Sequence, residues 1–392
     1  MNWPISTIGD VCEVISGATP KTGNPELWDG DIPWVTPKDL SDLDHKYLND
    51  TPRKITSSGF KSCSAKMLPP KSVLFSSRAP IGLVAINTIP VCTNQGFKSM
   101  VPRKDLIDAP FLYWWLKINR NTLEQKGRGA TFKEVSKKIV EEIEIPLPPL
   151  PEQKRIAAIL DAADAMRVKR RESLFQLDLL LQSTFLDMFG DPGTNPKGWK
   201  KVCLSSLVLS NDKINYGVVQ PGNDYPEGKP LIRVGDFADG TLNIQKIKLI
   251  DPIIEKKYSR SRLNGNELLV SCVGSIGTVC KVQKFAKGYN IARAVARIPL
   301  KESIERNFIL FCLRSDEVQR YFAKETRTVS QPTLNISLIK TAPIIQPPES
   351  LQHRFATIVE AVEKQKDRLR AHLAELDTLF ASLQHRAFNG EL

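Results

Sequence analysis

The feature that most constrains the fold is a long internal repeat. Leu147-Pro-Pro-Leu-Pro-Glu-Gln-Lys-Arg-Ile-Ala-Ala-Ile-Leu160 is matched 199 residues later by Gln346-Pro-Pro-Glu-Ser-Leu-Gln-His-Arg-Phe-Ala-Thr-Ile-Val359, which sets Gln153 over Gln352 and Arg155 over Arg354. Upstream, Ser76-Ser-Arg-Ala-Pro-Ile-Gly82 aligns with Ser271-Cys-Val-Gly-Ser-Ile-Gly277, Phe111-Leu-Tyr-Trp-Trp-Leu116 with Phe308-Ile-Leu-Phe-Cys-Leu313, and Trp3 with Trp199. Those offsets run from 195 to 197. Near-constant spacing over four blocks requires two halves of one fold, each a globular part followed by a helix.

The globular parts read as mixed strand and loop. Lys71 to Ser76, Gly82 to Ile86, Glu267 to Ser271 and Gly277 to Val282 are short β-branched runs bounded by Gly, Pro and Asn. One amphipathic helix closes each part, around Pro110 to Asn119 and Glu305 to Phe322.

The terminal helices are clearer. Pro151 suits a first helical turn because its missing N–H would have had no partner there, and Gly190 and Pro192 stop the first helix near Phe189. Its seam is Ile156, Ile159, Ala163, Met166, Leu177 and Leu180, interrupted at Arg170 and Ser173. The second seam is Phe355, Ile358, Val362, Leu369, Leu376, Leu379 and Leu383, interrupted at Gln365 and His372. At roughly 38 residues each helix is about 57 Å long and cannot bury its stripe alone. The economical partner is the other helix, packed antiparallel as a coiled coil about a pseudo-two-fold axis. The polar interruptions either fix register by meeting one another or form a solvated notch. The segments are therefore 1–149 globular, 150–190 central helix, 191–347 globular and 348–392 distal helix.

Charge separates function classes. Lys and Arg total 55 against 43 Asp and Glu, a net of +12. Residues 51–140 carry 16 basic and 4 acidic residues, and residues 241–340 carry 18 and 8. One basic block per globular part is what an anionic polymer selects, since each neutralised phosphate releases counterions; a solubilising surface is the plain alternative. Seven scattered cysteines with no Cys-x-x-Cys pair argue against a disulfide framework and a zinc ribbon, and point to a reducing cytoplasm. No apolar stretch reaches membrane-spanning length and the N-terminus lacks a signal-peptide pattern, so no membrane association is expected.

Catalytic motifs fail on inspection. Asp191-Pro-Gly, Asn195-Pro-Lys and Asp251-Pro-Ile lack the second proline and the aromatic that grip a flipped adenine. Gly222 to Lys229 has five residues between its glycines, and Pro230 stands where a Mg-binding hydroxyl belongs. Asp251, Glu255 and Lys257 as a nuclease centre compete with a solvated charge run. The four histidines, three of them in the second helix, are too dispersed for a metal site.

Several blocks resemble the specificity subunits of type I restriction-modification systems. They are Ser16-Gly-Ala-Thr-Pro20, Ile32-Pro-Trp-Val-Thr-Pro-Lys-Asp-Leu40, Ser77-Arg-Ala-Pro-Ile-Gly82, Thr93-Asn-Gln-Gly-Phe97, Gly129-Ala-Thr-Phe-Lys-Glu-Val-Ser136 and Ile145 to Ile156. The second half departs from them: Tyr289-Asn-Ile-Ala-Arg293 stands for Thr-Asn-Gln-Gly-Phe, Thr328 to Leu334 for the Gly-Ala-Thr-Phe block, and Leu351 for Glu152. The resemblance implies an α+β protein in which two similar mixed α/β target-recognition domains are joined by two long antiparallel coiled-coil helices. It implies a non-catalytic subunit that reads double-stranded DNA, each domain taking half of a split target while the helices set the gap. Two methyltransferase subunits would dock on it, joined by restriction and translocase subunits when present. S-adenosylmethionine, ATP and Mg would belong to those partners, leaving this chain no cofactor or metal.

Phosphate contacts from Lys and Arg position such domains while Asn, Gln, Arg and Ser read base edges. The candidate DNA contacts are Lys38, Lys54, Arg78, Asn94, Gln95, Lys98, Arg128, Thr131 and Lys133 in the first domain. In the second they are Tyr216, Arg233, Lys257, Arg260, Arg293, Arg327, Ser330 and Gln331. Each competes with a surface or turn role, and Thr93 to Phe97 with a purely structural one. Arg128, between two glycines, is the foremost candidate. Two other classes stand beside this reading, a single-chain DNA-modifying enzyme and a coiled-coil scaffold for protein partners.

Overall fold

The computed structural model describes residues 3–78, 80–128, 133–238, 240–243, 245–326 and 332–392. Two compact units emerge, one of residues 1–171 with 371–392, the other of residues 172–370. Each takes part of both long helices, Leu150–Phe189 and Glu349–Asn389.

In the first unit, strands β1 (Cys12–Ser16), β2 (Trp28–Val35), β3 (Tyr47–Leu48), β4 (Lys54–Ile55), β5 (Val73–Phe75), β6 (Val84–Asn87), β7 (Cys92–Thr93) and β8 (Lys98–Pro102) form two sheets. Their orders are β1-β8-β5-β6-β3 and β4-β2-β7. Helices α1 (Ala109–Ile118) and α2 (Lys137–Glu141) follow. The second unit repeats the scheme with β9 (Asn215–Tyr216), β10 (Lys229–Ile232), β11 (Lys248–Ile250), β12 (Leu268–Ser271), β13 (Val279–Lys281), β14 (Asn290–Ile291) and β15 (Val295–Ile298), then α3 (Arg306–Arg314) and α4 (Ile336–Thr341). Its orders are β9-β15-β12-β13 and β11-β10-β14. Seven strands match the first unit in order, down to the parallel pairs β2·β7 and β10·β14, while the edge strand β3, parallel to β6, has no counterpart among the described residues of the second unit. The repeat read in the sequence is thus a repeat of topology. The single helix expected over 305–322 is broken: α3 ends at Arg314, extended Ser315 intervenes, and a separate helix runs Asp316–Thr326.

Inside each unit the two long helices run antiparallel. In the first, Arg155 donates to the Leu392 carbonyl at 2.7 Å and Arg167 to Asp377 at 2.6 Å, so one chain climbs as the other descends. In the second, Lys366 meets Asp178 at 2.6 Å while Phe355 lies 5.6 Å from Phe185 and 5.4 Å from Phe189. The contacts themselves are repeated. The Phe111 ring lies 5.4 Å from that of Phe388, and its counterpart Phe308 lies 4.7 Å from Phe189. Arg167, held by Asp164 (2.7 Å) and Asp377, corresponds to Lys366, held by Glu363 (2.9 Å) and Asp178. Lys366 is 2% exposed, and two carboxylates offset the cost of burying its ammonium.

The expected seam needs correcting. Ile156 and Phe355 are fully buried, and Ile159, Leu177, Ile358, Val362, Leu369, Leu376 and Leu383 are half-buried. Met166, Leu180 and Leu379 are 57%, 48% and 52% exposed and lie off the seam. The buried stripe runs instead through Ala157, Leu160, Leu181, Phe185, Val359 and Phe380. Each helix buries a face against its globular part as well as against its neighbour, which rotates the stripe away from a strict heptad line. The four residues proposed to fix register, Arg170, Ser173, Gln365 and His372, divide between the units, Arg170 and His372 in the first and Ser173 and Gln365 in the second. The charged clamps above supply the polar contacts seen inside each unit.

Gln153 and Gln352 mark the start of each long helix and are 0% and 5% exposed. The Gln153 amide donates to the carbonyls of Leu106 and Pro148 and accepts from the Asp108 N–H; that of Gln352 donates to the Pro347 carbonyl. Replacing either amide would strand buried backbone groups.

Candidate nucleic-acid interface

A set of backbone hydrogen bonds builds the same loop frame in both units. In the first, Asn94 N–H donates to Val35 O (3.0 Å), Ser77 N–H to Gly96 O (2.7 Å), Val135 N–H to Ser77 O (2.9 Å) and Ala18 N–H to Thr93 O (2.9 Å). In the second, Ala292 N–H donates to Ile232 O (2.9 Å), Cys272 N–H to Ala294 O (2.7 Å), Leu334 N–H to Cys272 O (2.9 Å) and Val218 N–H to Ile291 O (2.8 Å). These bonds make Ala292 the equivalent of Asn94 and Arg293 that of Gln95. The pairing of Asn94 with Asn290, drawn from residue identity, is therefore two residues out of register. Asn290 belongs to β14 and is buried, its side chain bonded to Ser261 and Glu255.

The frame needs two glycines. A β-carbon on Gly17 would sit 2.0 Å from the Asn94 carbonyl oxygen, and one on Gly217 would sit 1.6 Å from that of Ile291. Backbone cannot recede from such contacts, so Ser16-Gly17 and Tyr216-Gly217 are one structural device.

On this frame the first unit mounts charge. Glu134 accepts from Arg78 Nε at 2.9 Å and from Lys98 Nζ at 3.1 Å. Its backbone pairs with Arg128, N–H to O in both directions, at 3.0 and 2.9 Å. Partial burial works to raise the Glu134 carboxyl, but the bonds from Lys98 and Arg78 outweigh it and hold the group below its ordinary range. Arg78, Arg128, Lys133, Gln95 and Lys38 are exposed, so Arg78 keeps part of its side chain accessible while it holds the Glu134 carboxylate, and Arg128 meets Glu134 through its backbone with its own side chain exposed. Gln95 accepts from the Thr19 hydroxyl. Asn94 spends its side-chain oxygen on the Gly96 N–H at 2.9 Å, a turn role. Lys98 is not a surface contact: its side chain is 10% exposed and its charge is engaged by Glu134. Lys54 is half-exposed, 3.9 Å from Asp50. Thr131 lies outside the described residues.

The second unit differs at nearly every equivalent position. Val219 stands for Thr19, Val273 for Arg78, Ala292 for Asn94, Ala296 for Lys98 and Thr333 for Glu134. Where the first unit carries its ion cluster, the second has a cleft of about 460 Å³. Tyr216 lines it and donates its hydroxyl to the Leu334 carbonyl at 2.9 Å, and exposed Arg293 stands at its edge. Arg233 is a structural residue: its guanidinium bonds Asp236 at 3.3 Å and the Lys246 carbonyl at 3.2 Å, closing a turn. Lys257 and Arg260 are exposed around the end of the helix Pro252–Lys257. Asp251 caps that helix and buried Glu255 is clasped by Arg262 at 2.6 Å through both oxygens, so these carboxylates serve the fold. Arg327, Ser330 and Gln331 lie outside the described residues.

Sequence reasoning missed Glu134, although it lies in a quoted motif; the available signal was one acid in a strongly basic stretch. It also missed Val219 and Val273, because valines read as core.

The chain matches the type I restriction modification DNA specificity domain twice, over residues 1–174 and 196–377. It belongs to that family. Among curated relatives, the MjaIX specificity subunit of Methanocaldococcus jannaschii is 30% identical over 92% of this chain and 86% of its own length. The EcoBI specificity subunit of Escherichia coli is 29% identical over 77% and 70%. Among solved structures, the S subunit from M. genitalium aligns over 99% of this chain and 96% of its own, with a TM-score of 0.58 at 15% identity. A chain from a type I restriction-modification system covers 100% and 98% with a TM-score of 0.57 at 21% identity, and both alignments speak to the fold. As a specificity-domain protein matched in both halves, this chain is a DNA-recognition subunit of a type I restriction-modification system.

Proposed function

We propose that each globular domain reads one half of a bipartite duplex target with the loop frame described above, that the long helices set the gap, and that the subunit performs no chemistry of its own. The observation that carries this is the duplicated frame with differing side chains: backbone bonds hold the loops while Arg78, Gln95 and Glu134 in one domain become Val273, Arg293 and Thr333 in the other. Two readers of one design with different surfaces suit an asymmetric split site. The basic excess in residues 51–140 and 241–340 supports phosphate contact beside each frame.

The partners are two methyltransferase subunits, with restriction and translocase subunits where these exist. Phe175, Leu179, Leu180 and Leu186, 39–59% exposed on the first long helix, support a docking role for that helix. S-adenosylmethionine, ATP and Mg are assigned to the partners, and the site of action is the cytoplasm.

The test assembles the subunit with its methyltransferase and maps methylated adenines in a genome carrying both. A split motif is expected. Arg128→Ala should weaken binding to all duplexes alike and lower the salt slope by about one. An ungapped motif, or methylation or cleavage by the purified subunit alone, would overturn the reading.

A further inference from the structure

The cleft of the second domain has apolar walls that a phosphate or a purine edge does not explain. Its walls include Val218, Val219, Val273 and Ala292. Val219 is 49% exposed and Val273 is 36% exposed, so apolar surface is open to solvent at a loop frame that in the first domain is polar. Arg293 and Asn335 stand in the same lining. Asn335 opens α4 without a side-chain capping bond, whereas its counterpart Ser136 caps α2 by accepting from the Ile139 N–H. An amide that leaves its capping duty to line a cleft is placed to meet a ligand.

We propose that this cleft reads a thymine in the major groove, its valine walls taking the C5 methyl group while Asn335 addresses an adenine edge and Arg293 a guanine or phosphate beside it. Thymine alone among the four bases presents a methyl group in that groove, and apolar side chains are the complement that distinguishes it. Burying the methyl against Val219 and Val273 releases water from both surfaces. The first domain lacks this capacity, since Thr19, Arg78 and Glu134 stand at the equivalent positions and would be desolvated by a methyl group without compensation. The proposal deepens the DNA-reading function and rests on it.

The experiment uses the subunit assembled with its methyltransferase and a duplex bearing the mapped motif. Each thymine of both half-sites is replaced in turn by deoxyuridine, which removes the methyl group alone. Wild-type binding should fall about fourfold, the worth of one buried methyl, at one or two neighbouring positions of a single half-site. Val273→Ser or Val219→Ser should erase that sensitivity and leave the other half-site untouched; the exposure of both valines makes unfolding a poor explanation, and an unchanged melting temperature checks this. If no thymine is distinguished from deoxyuridine while the mapped duplex is still preferred over a scrambled one, the cleft assignment alone falls. Undiminished sensitivity in both serine variants overturns it equally. If the mapped duplex is not preferred at all, the DNA-reading function falls and takes the cleft with it.

Discussion

The two loop frames superimpose in hydrogen bonding and diverge in side chains. At the frame of the first domain a carboxylate ties two cations together, Glu134 with Arg78 and Lys98. At the same frame of the second domain, valine, alanine and threonine leave a cleft. Because backbone N–H and C=O groups hold the loops, side chains there are released from structural duty and can be exchanged. Surface chemistry therefore varies over a constant scaffold. The exceptions prove informative: Asn94 and Arg233 look like readers and instead stabilise turns.

The comparison is most severely tested at the shared glycines. Gly17→Ala and Gly217→Ala should each destabilise their own unit by about 4 kcal/mol, measured by thermal or denaturant unfolding, since a β-carbon meets fixed carbonyl oxygens. Tolerance in one unit alone would break the equivalence. Next in size is a transplant. Val273→Arg with Ala292→Asn and Thr333→Glu writes the first domain's chemistry on the second frame. Affinity for the original duplex should drop roughly 10- to 100-fold, as for one mismatched base pair, with changes confined to one half-site in a competition assay.

Glu134→Gln leaves buried Lys98 without its carboxylate and should cost about 1–2 kcal/mol, the partial exposure of Glu134 reducing the figure below that of a fully buried pair. The pH dependence has a definite sign. The carboxyl is held below its ordinary value of 4.5, so the wild-type advantage over Glu134→Gln is complete above pH 4.5 and shrinks as acid protonates the folded state below it. An advantage that persisted in strong acid would remove the ion cluster from the first domain's stability. The smallest effect belongs to Arg78→Ala. The Arg78 side chain is 45% exposed, and stability should change by less than about 1 kcal/mol while the salt slope of DNA binding falls by about one. An unchanged slope would leave Arg78 as a purely structural partner of Glu134.

The architecture was legible because it is written in periodicities. A repeat of 199 residues, prolines before each long helix and short β-branched runs define two strand-rich parts and two helices. The register of the loops was not legible. Residue identity drew Asn94 onto Asn290, but backbone bonds place Ala292 there, and backbone bonds leave no trace in side-chain identity. Lys98 looked like a phosphate contact because its partner Glu134 is 36 residues away in sequence. Met166, Leu180 and Leu379 looked like seam residues because a heptad line does not know that a helix also packs against a domain.

By itself, then, the sequence determined two copies of one design, their long helices and their excess of positive charge, since pattern and composition act along the chain. Which side chains face outward on each frame was decided by tertiary structure. That choice depends on strands and loops far apart in sequence meeting through groups common to every residue.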